Sequence, residues 1–570
     1  MRQLVGLVQA LHRFIKEDVV PILERAGRTM PDSRDNRGRS WSVGAVLGNG
    51  VIGKMAEMRT GRQGEMLSEL RTMGGDKSLG GRRLPDTTLQ DVATVTEEES
   101  IDHLLSSMTK SYYRSKKLTP TGAVRIAKKA VHVVMYDGQE TVKSDTEREA
   151  PYIRRSFQVE VGNGKEKEKV KEKRNYWAVQ VVHALLTSAD TPINIGQRVV
   201  ANGNENGAVL DLDDWNNRTY RWMRPGNTIK MADAKHGTTV FFNHQKDPYS
   251  NEAPGHYAMT ALKGTRKDIY KETGRALGLQ VSSQPPAAKS DWENVGHGRE
   301  VKRELWLAPT NIAKDIVQDK AYKLDESYAI LDEKEWPTIR IVALVRQTTR
   351  YKNEDARKKA HQQLAKRKRE NQSESGRHEQ VGDQDRHYRY FILNVHPNDI
   401  TPLSVLRLVR MMWQVEVYHN HLVQQMHIKA GDWVRTGNGA AVVTGLAAAA
   451  LNLLLLFQAR RLRVGGYRDV LSIPQLMQLF MVVIAAGSIA PLLAEQERST
   501  KKNSSEDLDE FSDAELVEKR FNGRELELIV LAFKQLLGQL VGRARDWIKK
   551  VRLQWQEMAN RLKGRPILDH

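Results

Sequence analysis

Between residues 130 and 250 the chain alternates apolar runs of strand length with turn residues. The β-branched run AVHVVMYD ends in Asp137, and the segment 175–200 holds two further strand-length runs joined by a polar turn. A helical stretch around 210–223 follows, and the next strand-like run, NTIKMAD, ends in Asp233. The pattern therefore predicts three strands, a helix and a fourth strand, with an acidic residue at the end of the first and the last strand.

Strand, strand, strand, helix, strand is the order in which a ribonuclease-H-like core begins. The predicted fold class is therefore α/β, with a ribonuclease-H-like catalytic core that is interrupted along the chain. Its first part spans 131–250, a strand-rich insertion spans 251–400, and 401–465 supplies the helix with the last acid. A helical N-terminal region, 1–130, and a helical C-terminal extension, 466–570, flank the core.

Two regions outside the core have more than one interpretation. The N-terminal region, 1–130, has short helices between basic, glycine-containing turns, which indicates DNA binding, although a small helical bundle packed on the core has the same pattern. The charged segment 352–386 in the insertion has almost no apolar residues. Because it cannot bury enough surface to offset its ordering entropy, a flexible loop or a solvated helix is predicted there.

Two apolar segments, 440–457 and 476–494, approach the ~18 to 20 residues that span a bilayer. The first contains Thr444 and Asn452 among many alanines, and both segments are equally typical of helices enclosed by a large domain. A membrane-associated protein with 440–494 as a hairpin is one alternative, but a membrane is not the expected partner.

Composition indicates a folded chain with a polyanionic partner. Hydrophobic residues at 40% and charged residues at 28% are ordinary for a folded protein. Lys and Arg number 89 against 70 acidic residues, and the excess is spread along the chain. Such an excess favours DNA or RNA as a partner, although basic proteins without nucleic acid are common. The chain has no cysteine, which excludes disulfides, thiolate zinc sites and a cysteine nucleophile.

Three acidic residues are the candidate catalytic and metal-binding residues: Asp137, Asp233 and Glu416, the last in the helical stretch VLRLVRMMWQVEVYHNHL. Mg²⁺ prefers hard carboxylate oxygens. Two such ions ~3.5 to 4 Å apart can activate a water or a 3′-hydroxyl on one side of a phosphodiester and stabilise the leaving oxygen on the other. In this hypothesis Asp137 bridges both ions, and Asp233 and Glu416 hold one each. Asp432 and Glu495 are rivals of Glu416.

Short motifs spread in order along the chain carry a family resemblance. They are PDSR at 31–34, LPDTTL at 84–89, YDGQ at 136–139, NGNENG at 202–207, ADAKH at 232–236, HYAMTALKG at 256–264, HGREVKR at 297–303, YF at 390–391, VRMMWQVE at 409–416, GNGA at 437–440 and ALNLL at 450–454. Together they resemble the H-repeat-associated insertion-sequence transposases, a branch of the DDE class. The resemblance covers residues 29–457.

The resemblance implies a DDE transposase that binds terminal inverted repeats and target sites in double-stranded DNA, cleaves the 3′ ends and joins them to the target. It implies Asp137, Asp233 and Glu416 as catalytic acids with two Mg²⁺ ions, for which Mn²⁺ can substitute, and no small-molecule cofactor. A homodimer on DNA, in the bacterial cytoplasm with the nucleoid, is the expected form. Gln139 replaces a family lysine and Val417 a family asparagine. A catalytically inactive, transposase-derived DNA-binding protein is therefore the alternative.

The candidate DNA contacts are four basic residues in or beside these motifs: Lys263, Arg299, Arg303 and Arg410. Each has a structural alternative; Lys263 can cap its strand, and Glu300 can bridge its neighbouring arginines. Trp413, one turn before Glu416, is predicted to lie in the core rather than to stack on a base.

Overall fold

The computed structural model describes residues 10–30, 41–57, 61–73, 78–116, 118–148, 151–161, 170–187, 191–233, 239–261, 283–296, 298–307, 339–358, 361–362, 377–381, 384–428, 436–459, 472–481 and 483–484. The chain divides into two compact units. One combines residues 1–111 with 420–570, and the other spans 112–419. Of the predicted helical C-terminal extension, 466–570, only residues 472–481 and 483–484 are described, of which 473–481 and 483–484 are helical.

The helices are α1 Val20–Arg28, α2 Val43–Met55, α3 Gly61–Met73, α4 Asp86–Val95, α5 Glu98–Arg114, α6 Glu205–Thr219, α7 Thr239–Gln245, α8 Pro402–Gln424 and α9 Gly437–Phe457. The strands are β1 Arg125–Ile126, β2 Lys129–Ala130, β3 His132–Ser144, β4 Ile153–Val161, β5 Val170–Leu186, β6 Ile193–Val199, β7 Thr228–Ala232, β8 Tyr257–Ala261, β9 Ala288–Lys289, β10 Glu293–Gly296, β11 Arg299–Leu307, β12 Ile341–Tyr351, β13 Arg377–Val381 and β14 Gln384–Leu393. The α/β fold class is confirmed.

Helix α9 is the core element of the first unit. Thr436 caps its N-terminus by accepting a hydrogen bond from the Gly439 amide, and the helix packs against α2 and α4. Leu446 lies so close to Gly50 of α2 that a Cβ there would meet its side chain at 2.7 Å, so glycine permits the close approach. Among the described residues α9 alone is long and apolar enough to cross a membrane, and it is completely buried inside its unit. Length and composition do not separate a core helix from a membrane span.

The second unit is built on a mixed sheet, which has twelve strands in the described part of the chain. Its order is β10-β11-β12-β14-β8-β7-β3-β5-β4, with β13 added to β14, β6 to β5 and β9 to β11. Strand β7 is parallel to both β3 and β8, and the other pairs are antiparallel. The sheet joins the region 131–250 to the strand-rich region 251–400 through the parallel pair of β7 and β8.

The centre of this sheet follows the predicted order of three strands, a helix and a strand. Strands β6, β5 and β3 are antiparallel neighbours. Helix α6 follows β6 along the chain and packs against β6 and β5, and the next strand, β7, pairs with β3. Val133, Val134 and Met135 of β3 are all buried, because the strand is central and covered. Strand β4 was not predicted, although the alternating apolar residues of IRRSFQVEV are the signal for it.

The prediction of a loop or a solvated helix over 352–386 is partly wrong. Residues 354–358 are helical, but 377–381 form β13, which pairs with the start of β14. Strand pairing satisfies the backbone polar groups of such a charged stretch without a hydrophobic core. Charge density alone therefore does not exclude a strand at a sheet edge.

Candidate functional site

Asp137 and Asp233 lie side by side on neighbouring parallel strands. The register of β3 and β7 pairs Tyr136 with Ala232, so the two acids are the next residues of the two strands. Neighbouring strands are about 5 Å apart, which brings the two acids close together although they are distant in sequence. The Asp137 side chain is 23% exposed and Asp233 is exposed. The partly desolvated Asp137 therefore lies next to Asp233, which reaches solvent.

Helix α8 brings a third acid to the same place. His419 of α8 has its Nδ1 atom 3.4 Å from Oδ2 of Asp137, and the Gln139 side-chain amide donates a hydrogen bond of 3.3 Å to the His419 carbonyl. Glu416 lies one turn earlier on the exposed side of the helix. Burial lowers the pKa of His419 to about 4, so its ring is neutral near pH 7. The helix is thus fixed to β3 beside Asp137 without adding a positive charge.

Glu205 is a fourth carboxylate at the site, and it is 4% exposed. It is the first residue of α6, whose N-cap Asn204 accepts a hydrogen bond of 2.9 Å from the Gly207 amide. Gln180 of β5 donates a hydrogen bond to the Glu205 carboxylate. A Cβ at Gly138 would overlap Oε1 of Glu205. Glycine is therefore required next to Asp137 if Glu205 is to lie against the strand.

The pKa of Asp137 reflects the carboxylates around it. Desolvation raises the pKa of the Asp137 carboxyl group well above its ordinary value, and the charges of Asp233, Glu205 and Glu416 raise it further. A hydrogen bond from the Gly138 amide acts in the opposite direction but does not cancel these effects. Like charges in a partly buried site disfavour ionisation, so Asp137 is stable as an anion only if a cation compensates it.

The three acids that the sequence predicted lie near enough for the charges of Asp233 and Glu416 to act on Asp137. Glu205, His419 and Gly138 were not predicted as site residues from the sequence. A signal for the first existed in NGNENG, where an N-cap asparagine precedes the glutamate. A signal for His419 was its spacing of three residues from Glu416, which places both on neighbouring positions of one helix. The rivals of Glu416, at 432 and 495, lie outside the described residues.

The candidate DNA contacts are placed differently from one another. The Arg303 guanidinium is 6% exposed and lies 3.1 Å from a Glu293 carboxylate oxygen. Arg410 is 64% exposed and has its Nε atom 3.4 Å from the same carboxylate. Arg299 is half-buried at the start of β11, and Lys263 lies outside the described residues.

The prediction that Trp413 lies in the core is wrong, because its side chain is 42% exposed. Helix α8 buries the face that carries Val415, Tyr418 and Leu422 instead. Trp413 is on the solvent-facing side of the helix, together with Arg410 and Glu416, which are three positions before and after it. The apolar character of a single tryptophan did not identify the buried stripe.

Across the described residues, no group of three His, Asp or Glu side chains is already arranged to hold a metal ion. The chain matches no protein-family model and no curated protein. The site is therefore interpreted from its own residues.

Proposed function

We propose that this chain is a DDE transposase that binds double-stranded DNA at terminal inverted repeats and carries out metal-dependent strand cleavage and strand transfer. The observation that carries the proposal is the convergence of Asp233 and Glu416 on the partly desolvated Asp137. These are the three acids that the family resemblance implies. The dimer on DNA, the cytoplasmic location and the use of target DNA belong to the same proposal.

The sheet order supports a ribonuclease-H-like core within this proposal. Strands β6, β5 and β3 are antiparallel, β7 and β8 follow in parallel, α6 connects β6 to β7 and α7 connects β7 to β8. Strand β3 carries Asp137, and Asp233 directly follows β7. Strands β9 to β14 then form the insertion that separates this half of the core from the helix with Glu416.

The residues at the site fit a pair of Mg²⁺ ions. The donors are hard carboxylate oxygens, and the exposed side chains of Asp233 and Glu416 can turn toward a cation near Asp137. When bound, the two ions would activate the attacking hydroxyl and neutralise the leaving oxygen of an in-line displacement. Neutral His419 would orient the Asp137 carboxylate, as residues behind metal ligands commonly do. Glu205, held by Gln180, would add negative charge behind the strand.

The test is cleavage of a duplex that carries the repeat found at the border of the genomic element. Asp137→Ala, Asp233→Ala and Glu416→Ala should each abolish Mg²⁺- or Mn²⁺-dependent cleavage and leave DNA binding largely intact. Asp211→Asn, which changes an exposed acid of α6, is the matched control and should cleave normally. Full cleavage by any of the three alanine variants would refute the site.

The second candidate is a DNA-binding descendant without catalysis. Gln139 and Val417 favour it, because both depart from the family pattern beside the acids. Calorimetric titration with Mn²⁺ separates the two candidates. Binding that Asp137→Asn removes supports the transposase, whereas no binding to the unmodified chain supports the descendant.

A further inference from the structure

A cluster of three arginines around one carboxylate lies where α8 meets the insertion. Glu293 of β10 is shared by Arg303 and Arg410, at 3.1 Å and 3.4 Å. Arg389 lies near Arg303, because its charge and that of Arg410 both lower the Arg303 pKa, which desolvation lowers most. One carboxylate cannot neutralise three guanidinium groups, so the cluster has an excess of positive charge.

Arg303 and Arg389 lie on the same face of the insertion. Arg303 pairs with Gln347 of β12 and Arg389 with Val345, and alternate residues of one strand point to the same face. The buried Arg303 already compensates Glu293. The Nε atom of Arg389 is buried without a hydrogen-bond partner among the described residues, but the side chain as a whole is partly exposed. Arg389 and the exposed Arg410 are therefore the groups that can take an external anion.

Helix α8 connects this cluster to the carboxylate site. Arg410, Trp413 and Glu416 follow at intervals of three residues, so they are neighbours on one side of the helix. Arg410 and Glu416 are about 9 Å apart along the helix axis. Trp413, between them, is 42% exposed. Large aromatic side chains beside cationic groups bind nucleic acid by stacking on unpaired bases while the cations contact phosphates.

We propose that Arg389, Arg410 and Trp413 form the surface that holds the DNA strand next to the cleaved phosphodiester. Phosphates contact the two arginines, and an unpaired base stacks on Trp413. This inference rests on the proposed function and gives the insertion a role: it positions the strand that leaves the carboxylate site. The partner is DNA because the excess charge complements its phosphates and the exposed indole matches an unstacked base.

The test measures binding of the full chain to fluorescein-labelled DNA in EDTA, so that cleavage does not contribute. One probe is a blunt duplex, and the second is the same duplex with a single-stranded tail. Arg410→Ala and Arg389→Ala should each reduce the slope of log affinity against log salt by ~0.9 on either probe. Trp413→Ala should weaken binding of the tailed probe roughly tenfold and leave the blunt probe unchanged, and Trp413→Phe should restore most of the loss.

Arg350→Ala is the matched control, because Arg350 has a carboxylate of its own, with its Nε atom 2.6 Å from Glu300. It should leave the slope unchanged. Equal slopes for the unmodified chain and for both arginine variants would overturn the proposal. An equal reduction of the slope in Arg350→Ala would also overturn it. So would a Trp413→Ala variant that changes only the oligomeric mass, because this face would then be a contact between copies of the chain.

The outcome is independent of the cleavage assay. If the unmodified chain fails to cleave with Mg²⁺ but the arginine variants lower the salt slope, the surface stands and the transposase proposal fails. If cleavage occurs and the variants bind like the unmodified chain, only the surface is refuted.

Discussion

Asp213 and Asp137 are two carboxylates of the second unit, one completely and one partly buried, and the charges around them are of opposite sign. Asp213 of α6 is completely buried, and desolvation raises its pKa. The charge of Lys230 and hydrogen bonds from neighbouring side chains outweigh that effect and hold the pKa far below its ordinary value. Tyr136 and Gln245 also donate to Asp213. For Asp137 the desolvation is reinforced by other carboxylates.

The chain itself provides the cation for the first carboxylate, and the neighbours of the second are anions. Tyr136 and Asp137 are consecutive residues of β3, so one strand serves a completed ion pair on one face and the candidate site on the other. A structural carboxylate is compensated within the fold, whereas a site for a divalent cation is left with excess negative charge.

The largest effect is expected from removing the internal cation. Lys230→Met leaves Asp213 charged and completely buried, so the free energy of unfolding should fall by about 3 to 5 kcal/mol. Urea denaturation followed by circular dichroism measures it. The double variant Lys230→Met with Asp213→Asn should recover most of the loss, because no buried charge is then unpaired. Unchanged stability of the single variant would show that the pair is not the basis of the contrast.

A cation added from outside should act on Asp137 as Lys230 acts on Asp213. Because the folded pKa of Asp137 is raised, stability falls as pH rises above the unfolded value of ~3.9, and Asp137→Asn should remove that loss in EDTA. Mn²⁺ at about 100 times its dissociation constant should stabilise the unmodified chain by about 2.7 kcal/mol and leave the Asn variant unaffected. Thermal unfolding with and without Mn²⁺ measures both. Equal stabilisation of the two proteins would contradict a cation site at Asp137.

A smaller effect should follow from filling the space beside Asp137. Gly138→Ala places a Cβ against the Glu205 carboxylate that Gln180 holds, and overpacking of this kind costs about 1 to 3 kcal/mol. Chemical denaturation of the single variants and of Gly138→Ala with Glu205→Ala gives the coupling. The cost of the alanine should largely vanish when Glu205 is truncated. Additive losses would mean that the two residues do not oppose each other in solution.

Much of this contrast could be predicted from the sequence, and part of it could not. Acids after β-branched runs identified Asp137 and Asp233, because apolar alternation is a local signal, but the prediction that Asp137 ends its strand is wrong, since β3 continues to Ser144. The buried pair of Asp213 and Lys230 was not predicted, since a lysine inside a strand and an aspartate on a helix each look like solvated surface until the register pairs them. Trp413 was misplaced for the converse reason: hydrophobicity alone does not say which side of a helix is covered.

The smallest effect on stability is expected at His132, a buried titratable group that stays uncharged instead of being compensated by a partner of opposite charge. His132 at the start of β3 packs against Trp222, with ring centroids 4.5 Å apart, and burial lowers its pKa to about 4. The unfolded chain takes up a proton below ~6.5 whereas the folded chain does not, so stability falls as pH drops from ~6.5 toward 4. Between pH 7 and 5.5 this loss is about 1.2 kcal/mol. His132→Phe keeps the ring contact and should abolish that part of the loss, measured as the free energy of unfolding at pH 7 and 5.5. An unaltered slope in His132→Phe would show that the ring is protonated in the folded chain, and therefore that burial in this sheet does not by itself decide which groups stay uncharged.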